Sequence, residues 1–293
     1  MSVLALFGPT ASGKSAVAEA IAARVPADLV SADAMQVYRG LPILTNQSGK
    51  PTRLVGIWPL EHEASVGEFA AHAHEAIDEI LAAGRLPVVV GGTGLYLRAA
   101  LVGLRLPPPP AEGARERWSA LYDERGGAAA HAELGARDPA AASAVHPNDR
   151  RRVVRALELA ESGSSLRPES DRLWSDETRH PTVIIGLELP KEVVERRIAE
   201  RTEAMLAAGA AREASAALAG PISSTARQVI GLEEAAPLTR DEAFEAIAAR
   251  TRRYAAYQRK WMRRIPGLVL VAADRPADEV ADAVLEVLQV RSS

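Results

Sequence analysis

Five short apolar runs along the chain predict β-strands. They lie at Val3–Phe7, Asp28–Asp33, Leu86–Gly92, Pro181–Leu189 and Gly267–Asp274. The run at 86–92 is continuous and rich in valine, which is typical of a strand buried on both faces of a parallel sheet. We therefore expect the five strands to form one largely buried sheet.

Helical patterns fill several of the stretches between these runs. A helix is predicted from about Lys14 to Arg24, and a longer one from Val66 to Ala83, where Gly84 provides a stop signal. Strands that alternate with helices predict a doubly wound α/β fold, in which helices flank a parallel sheet.

The alternation stops between Pro107 and His180. A stiff "LPPPP" segment (Leu106–Pro110) precedes a long, charged, alanine-rich helical pattern without a convincing strand. The sequence therefore predicts an α/β core made of residues 1–107 and 181–293, with an all-helical domain inserted at 108–180.

The composition is that of a globular protein, with 47% hydrophobic and 25% charged residues. The absence of cysteine excludes disulfides, thiolate metal sites and cysteine nucleophiles. Because the net charge is −3, any nucleic-acid partner must be inferred from local basic clusters. No window approaches the roughly 18 apolar residues of a membrane span, and the first apolar run is too short for a signal peptide. We expect a cytoplasmic protein without a membrane partner.

The segment "GPTASGKS" lies between the first predicted strand and the first predicted helix. Its Gly8, Gly13, Lys14 and Ser15 fit the phosphate-loop pattern G-x-x-x-x-G-K-[ST]. The glycines let backbone N–H groups face an anion, Lys14 adds a full charge, and the Ser15 hydroxyl is placed to bind Mg²⁺. The motif predicts a P-loop NTPase-like core that binds a di- or triphosphate, and ATP is compatible with it.

Nucleotide hydrolases and kinases of this class usually carry an aspartate at the end of a nearby strand. Here the run at 86–92 continues into Thr93 and Gly94 without an acidic residue, whereas Asp33 ends the second predicted strand. That edge of an open α/β sheet is where ligands bind. From position alone, Asp33 is a magnesium ligand, a helix cap or a general base.

Seven segments, in the same order along the chain, resemble the motifs of the tRNA dimethylallyltransferases, also called tRNA isopentenyltransferases. Together they span nearly the whole chain. The first segment alone is weak evidence because many folds share it. The occurrence of all seven segments in the same order is the specific evidence. The seven are "GPTASGKS" (Gly8–Ser15), "SADAMQVYRGLPILT" (Ser31–Thr45), "VGGTGLYLRAALVGL" (Val90–Leu104), "HPNDRRRVVRALEL" (His146–Leu159), "RIAERTEAMLAAG" (Arg197–Gly209), "RQVIGLEE" (Arg227–Glu234) and "TRRYAAYQRKWMRR" (Thr251–Arg264).

The resemblance implies transfer of a dimethylallyl group from dimethylallyl pyrophosphate to N6 of an adenosine in tRNA, with release of pyrophosphate. The adenosine is the one immediately 3′ of the anticodon (position 37) in tRNAs that read codons beginning with U. It also implies Mg²⁺ as cofactor and the anticodon stem-loop as partner. We expect a monomer, although the sequence itself carries no signal of oligomeric state. The loop then holds a pyrophosphate leaving group, which explains why the usual aspartate is missing.

The resemblance further assigns roles at the donor and the reacting amine. Asp33 is the expected general base, because N6 of adenine attacks only as its proton is removed, and Thr93 is expected to hydrogen-bond near the same amine. Arg201 is expected at the pyrophosphate, where a solvated helix arginine is the competing interpretation, and Ser15 is the expected metal ligand. The residues expected at the donor are Gly8, Thr10, Ala11, Ser12, Gly13, Lys14, Ser15 and Arg201.

Two basic clusters predict contact with RNA, at 150–155 and at 250–264. In the second, Tyr254, Tyr257 and Trp261 recur at helical spacing, a pattern that more often packs in a core than stacks on bases. Met35 and Arg115 are also expected at tRNA. The competing interpretation is packing in the core for Met35 and a solvated helix face for Arg115. The residues expected at tRNA are Asp33, Ala34, Met35, Gln36, Thr93, Arg115, Arg151, Arg152, Val153, Val154, Arg155, Arg227 and Gln228.

The chain departs from the family motifs in three places. A Thr-Ala-Lys-Pro sequence is Thr45-Asn46-Gln47-Ser48 here, a Gly-Tyr pair is Gly231-Leu232, and a Lys-Arg-Gln triplet is Ala256-Tyr257-Gln258. These changes affect the expected details of tRNA binding and not the expected reaction class.

Three alternative functions remain open at this point. An adenylate isopentenyltransferase that makes a cytokinin shares the loop and Asp33, but it has no need for a helical insertion and arginine clusters. A P-loop small-molecule kinase leaves "GGTGLYL" and "HPNDRRR" unexplained. A non-catalytic RNA-binding module would bind RNA without forming a product.

Overall fold

The computed structural model describes residues 2–104, 111–166 and 172–292. By its internal contacts the chain divides into two units. The first consists of Met1–Gly103 and Leu173–Ser293, and the second of Leu104–Arg172. Residues 173–180, which the sequence pattern placed in the insertion, therefore belong to the first unit.

The first unit contains a single sheet of six parallel strands, in the spatial order β3-β2-β4-β1-β5-β6. All five strands expected from the sequence are present, with ends shifted by at most two residues. The sixth, β3, was missed because it is only two residues long and lies at the edge of the sheet. The strands are β1 (Val3–Phe7), β2 (Ala27–Ser31), β3 (Thr52–Arg53), β4 (Leu86–Gly91), β5 (Thr182–Glu188) and β6 (Val269–Ala272).

Helices account for most of the remaining structure. The described residues form eleven α-helices, eight in the first unit and three in the second. In chain order they are α1 (Lys14–Ala22), α2 (Val66–Ala82), α3 (Gly94–Leu101), α4 (Ala114–Arg137), α5 (Pro139–Ala144), α6 (Arg150–Glu161), α7 (Lys191–Ala208), α8 (Ala210–Leu218), α9 (Leu232–Ala235), α10 (Arg240–Met262) and α11 (Ala277–Ser292).

Strand β1 lies in the interior of the sheet, between β4 and β5. All five of its residues are buried although successive side chains point to opposite faces, so helices cover both sides of the sheet. Leu4 and Leu6 share a core with Ile21 of α1, Ile198 of α7 and Val280 of α11. This burial explains the continuous apolar runs from which the strands were predicted.

The second unit has its own apolar core, made by α4, α5 and α6. Its described residues, 111–166, contain no strand, in agreement with the helical pattern. Gly126, at φ 80° and ψ 162°, breaks α4 into two segments. Val153 and Val154 are 0% and 5% exposed and pack in this core. That burial argues against the expectation that their side chains contact tRNA, because the buried face of α6 is directed toward α4.

Candidate active site

The loop after β1 has the conformation that a phosphate loop requires. Gly13 caps α1 in the left-handed region at φ 87°, and Ala11 also has a positive φ of 62°. A Cβ on Gly8 would lie 2.9 Å from Ser12 Oγ and 3.2 Å from the Leu187 carbonyl oxygen, so only glycine fits there without movement. The loop predicted from sequence is therefore present between the predicted strand and helix.

Two polar side chains of the loop point to anion binding. Lys14 Nζ donates to the carbonyl oxygens of Gly8 and Pro9, at 2.9 and 2.8 Å. Ser12 Oγ, in a residue that is 1% exposed, is buried without a hydrogen-bond partner among the described residues. An unsatisfied buried hydroxyl is costly in a folded protein, and an anionic oxygen is the acceptor that it and Lys14 are suited to bind.

A cavity of about 790 Å³ opens beside this loop, within the first unit. Its lining brings together residues 10–15 of the loop with Asp33, Met35, Gln36 and Arg201, all of which were expected at the donor or the acceptor. Residues 42–48 also line the cavity. The cavity is large enough for a pyrophosphate and a second reactant, because small-molecule sites are typically about 300–1,000 Å³.

Asp33 and Thr93 lie close together because β2 and β4 are neighbours in the sheet. The Ala34 N–H donates to Thr93 Oγ1 at 3.2 Å, and Asp33 Oδ1 accepts from the Met35 N–H at 2.9 Å. A Cβ on Gly91 would lie only 2.2 Å from the Ala32 carbonyl oxygen, so the two strand ends are in direct backbone contact. The predicted general base and its hydroxyl partner are thereby held at one edge of the sheet.

The cationic side chains of Lys14 and Arg201 line the same cavity as Asp33 and interact with it electrostatically. Burial lowers the pKa of Lys14 to about 8, against the opposing effect of the Asp33 carboxylate and with a smaller contribution from Arg201. Burial likewise lowers the pKa of Arg201, and Asp33 opposes that shift. Arg201 Nη1 donates to Thr10 Oγ1 at 2.9 Å, which places its guanidinium against the loop. Arg201 is therefore a half-buried part of the site and not a fully solvated helix arginine.

The loop 42–48 is held by α8. Both carboxylate oxygens of Glu213 accept backbone N–H bonds, from Ile43 at 2.9 Å and from Leu44 at 2.8 Å. Gln36 Nε2 donates to the Thr45 carbonyl oxygen at 3.1 Å. The departures at Asn46 and Gln47 thus fall on a cavity wall whose backbone is anchored by two other elements.

Sequence reasoning missed the contribution of α10 to this site. Tyr254 and Gln258 line the cavity, four positions apart on one face of the helix. Tyr254 OH is 3.0 Å from Thr93 Oγ1, and burial together with the charge of Asp33 raises the pKa of the phenol. The spacing of these two residues was visible in the sequence, but the many basic residues around them favoured an RNA-binding interpretation of the whole helix.

Trp261 packs in the structure, as its helical spacing indicated. A Cβ on Gly94 would lie 2.2 Å from the Trp261 ring, and the ring centroid is 4.9 Å from that of Trp174. Tyr257, by contrast, is 54% exposed.

The residues expected at tRNA are distributed over both units. In the second unit, Arg151 and Arg152 are exposed, and the buried carboxylate of Glu158 pairs with Arg115 Nε at 2.8 Å and Arg155 Nη1 at 2.9 Å. Arg227 and Gln228 lie at the surface of the first unit, in a short 3-10 helix, Ala226–Gln228. Contact of these residues with RNA stays a prediction.

No helix in the described parts of the chain is long and apolar enough to cross a membrane.

The chain is similar to proteins of known name over nearly its whole length. A family model described as IPP transferase matches residues 36–265, and one described as isopentenyl transferase matches residues 1–55. The tRNA dimethylallyltransferase of Kineococcus radiotolerans is 38% identical, over 99% of this chain and 98% of that protein. That of Anaeromyxobacter dehalogenans is 37% identical, over 97% of this chain and 99% of that protein.

Solved structures give the same result. The full-length tRNA isopentenylpyrophosphate transferase of Bacillus halodurans matches with a TM-score of 0.69 at 31% identity, over 99% of this chain and 98% of that one. A eukaryotic dimethylallyltransferase acting on tRNA matches with a TM-score of 0.80 at 25% identity, over 99% of this chain and 79% of that one. With its phosphate loop, its Asp33 at the edge of the sheet and these relatives along its length, the chain belongs to the IPP transferase family.

Proposed function

We propose that this protein transfers a dimethylallyl group from dimethylallyl pyrophosphate to N6 of the adenosine immediately 3′ of the anticodon in tRNAs that read codons beginning with U. The observation that carries the proposal is that the phosphate loop and Arg201 line the same cavity as Asp33 and Gln36. An anion-binding wall and a carboxylate in one cavity are what a reaction between an allylic pyrophosphate and an amine requires.

At the donor, the C1–O bond to pyrophosphate breaks and negative charge develops on the leaving group. The backbone N–H groups of the loop, Lys14 and Arg201 are fixed beside that position before the reaction begins. Preorganised donors and charges of this kind stabilise the transition state more than the ground state, since the charge that they neutralise grows as the bond breaks.

At the acceptor, N6 of adenine forms the new bond to C1 and loses a proton to the Asp33 carboxylate. The amine is a weak nucleophile because its lone pair is conjugated with the ring, so removal of the proton during attack is required. The Thr93 hydroxyl, which accepts from the Ala34 N–H and lies 3.0 Å from the Tyr254 hydroxyl, would orient the amine. The target base must leave its stack to enter the cavity.

We propose Mg²⁺ as the metal, bound through the Ser15 hydroxyl in the first turn of α1. Mg²⁺ binds hard oxygen donors and usually keeps water and substrate phosphate oxygens in its shell. Among the described residues, no three His, Cys, Asp or Glu side chains are grouped as a metal site. The donor set therefore fits a cation that the pyrophosphate itself helps to bind, where it would neutralise charge on the leaving group.

For the partner, we propose the anticodon stem-loop of tRNA, bound by a monomer in the cytoplasm. The exposed arginines of the second unit support this, because phosphate contacts supply most of the affinity for RNA. The names of the relatives favour tRNA over free adenylate as acceptor. The glycine-rich end of β4, which lacks an acidic residue, is unlike the magnesium-binding strand end of a kinase.

The test of the reaction gives the purified protein Mg²⁺ and labelled dimethylallyl pyrophosphate with one of three acceptors. These are unmodified tRNA, the same tRNA with guanosine at the target position, and AMP. We expect label only in the first. Label in AMP would make the protein an adenylate isopentenyltransferase, and no transfer combined with ATP-dependent phosphorylation would favour a kinase.

The role of Asp33 is tested by Asp33→Asn, measured by single-turnover transfer with saturating donor and tRNA. We expect the rate to fall by about 10²–10⁴-fold, because the amide cannot accept the N6 proton, with the donor dissociation constant little changed. Asp28→Asn is the matched control, since Asp28 lies at the start of the same strand and pairs with Arg85. A rate within a few-fold of the wild type in Asp33→Asn would remove Asp33 from the mechanism.

A further inference from the structure

Gln258 is a polar residue of the basic helix α10 that is 2% exposed. Both ends of its side-chain amide are hydrogen-bonded to backbone groups of loops far away in sequence. Oε1 accepts from the Thr10 N–H of the phosphate loop at 2.7 Å, and Nε2 donates to the Gly92 carbonyl oxygen at 2.9 Å. One amide therefore connects the loop that follows β1 to the loop that follows β4.

The packing around this amide leaves no space for another arrangement. A Cβ on Gly92 would lie 2.2 Å from Gln258 Nε2, so the amide rests directly on the glycine backbone. Two residues later, Gly94 meets the Trp261 ring in the same way. Helix α10 thus lies directly against the backbone at Gly92 and Gly94.

Tyr254, one turn earlier on α10, extends the connection to the acceptor side. Its hydroxyl is 3.0 Å from Thr93 Oγ1, which accepts from the Ala34 N–H next to Asp33. The same face of one helix therefore holds the phosphate loop through Gln258, and the loop beside the general base through Tyr254 and Gln258.

Catalysis of group transfer depends on the distance between the two reacting atoms, which must approach to about 3–3.5 Å. The ladder between β1 and β4 ends at Phe7 and Gly91, so it does not fix the loops beyond those residues. Gln258 bonds to Thr10 and Gly92, which lie beyond that ladder on the donor and acceptor sides. On the basis of the transfer reaction proposed above, we propose that Gln258 is a positioning residue that sets the separation of the donor-binding and acceptor-binding loops, and not a contact to RNA.

The test compares Gln258→Met with Gln258→Asn. Methionine retains most of the volume and removes both hydrogen bonds, and asparagine retains the amide but is one methylene too short to reach both loops. Gln289→Met, at an exposed position of α11, is the matched control. For each variant we would measure the single-turnover rate at saturating donor and tRNA, the dissociation constant for tRNA at several salt concentrations, and the melting temperature.

We expect both Gln258 variants to lose about 10–100-fold in the rate at saturation, since a misplacement of about 1 Å can cost 10²-fold. The affinity for tRNA and its salt dependence should remain those of the wild type, and the control should be unaffected. An unchanged rate in a folded variant would overturn the proposal. A loss of tRNA affinity with a shallower salt dependence would overturn it in favour of direct RNA contact, and a rate loss that only follows the folded fraction would reduce Gln258 to a stabilising residue.

If neither variant folds, Tyr254→Phe provides the second measurement, because it removes one hydroxyl from the same face of α10. We expect a loss in the rate at saturation without a change in tRNA affinity. A rate equal to that of the wild type would contradict the positioning role of this face.

Discussion

At the scale of single residues, the surroundings of Lys14 change its pKa and therefore its charge near neutral pH. Burial of its ammonium group lowers its pKa to about 8, with Asp33 acting against this shift and Arg201 adding to it. With this pKa, part of the Lys14 population is deprotonated near neutral pH. Only the charged form attracts an anion. Binding of pyrophosphate would in turn stabilise the charged form and raise the pKa again.

This gives a prediction about pH. In the free enzyme Lys14 is charged below about pH 8 and loses its charge above it. We expect kcat/KM for the donor to fall as the pH rises through about 8, and kcat to fall only at higher pH, because kcat reports the complex with substrate. The measurement is a pH profile of both constants with tRNA at saturation.

Lys14→Arg is the control for that profile, because arginine remains protonated throughout the range. Its activity should be lower, since a planar guanidinium does not replace a compact ammonium, but the fall in kcat/KM near pH 8 should disappear. The same fall in the arginine variant would assign the titration to another group.

The phosphate loop is the part of the site that a local sequence pattern reveals, and the resemblance to family motifs added Asp33 and Arg201. Gly8 to Ser15 form one loop, and their spacing alone specifies an anion site. Gln258 and Thr10 are 248 positions apart, and their contact depends on how α10 crosses the carboxyl edge of the sheet. No local pattern encodes that crossing, so the residues that connect the loops could not be identified before the fold.

At the scale of elements, strands were easier to predict than their connections. The buried strands β1, β4 and β5 have continuous apolar runs because both of their faces are covered. Strand β3 has one half-buried and one exposed residue, so it has no apolar pattern to detect. The helical character of the second unit was predictable, whereas the break of α4 at Gly126 was not, because a glycine within a helical pattern is often tolerated.

The contact between α8 and the loop 42–48 leads to a prediction about an element. Replacing Glu213 by glutamine removes one acceptor oxygen and the charge that strengthens both bonds to Ile43 and Leu44. Hydrogen bonds to charged groups contribute about 1.5–3 kcal/mol, so we expect local loosening of this wall rather than unfolding of the protein. Hydrogen exchange at the two amides should accelerate about tenfold or more, and KM for the donor should rise.

Glu245→Gln is the matched control, because Glu245 is an exposed residue of α10 that does not line the cavity. Unchanged protection of Ile43 and Leu44 in Glu213→Gln would show that the loop is held by its other contacts, such as the bond from Gln36 to Thr45.

At the scale of the whole molecule, a protein with a net charge of −3 must bind a polyanion through local surfaces. In the second unit the arginines that were expected at tRNA fall into two classes. Arg115 and Arg155 share the buried carboxylate of Glu158, which fixes their side chains and offsets part of their charge. Arg151 and Arg152 are exposed on α6 and form no ion pair within the described part of the chain.

We therefore expect Arg151 and Arg152 to make phosphate contacts that depend strongly on salt. Each phosphate contact contributes about 0.7–0.9 to the slope of log K against log salt concentration. For the double variant Arg151→Ala, Arg152→Ala we therefore expect a slope that is less steep by about 1.4–1.8. Its rate at saturating tRNA should equal that of the wild type, because neither side chain belongs to the cavity in the first unit.

The control is Arg125→Ala together with Arg212→Ala, which removes the same charge from exposed positions of α4 and α8 outside the predicted RNA-binding set. Titration with an anticodon stem-loop between about 50 and 200 mM salt distinguishes local phosphate contacts from an effect of net charge. An effect of net charge alone would change both double variants alike. An equal change of slope in the control would mean that net charge, and not local contact by Arg151 and Arg152, determines the salt dependence of RNA binding. An unchanged slope in Arg151→Ala, Arg152→Ala would remove these residues from the RNA interface. Arg115 and Arg155, which pair with Glu158, would then be the remaining candidates on α4 and α6.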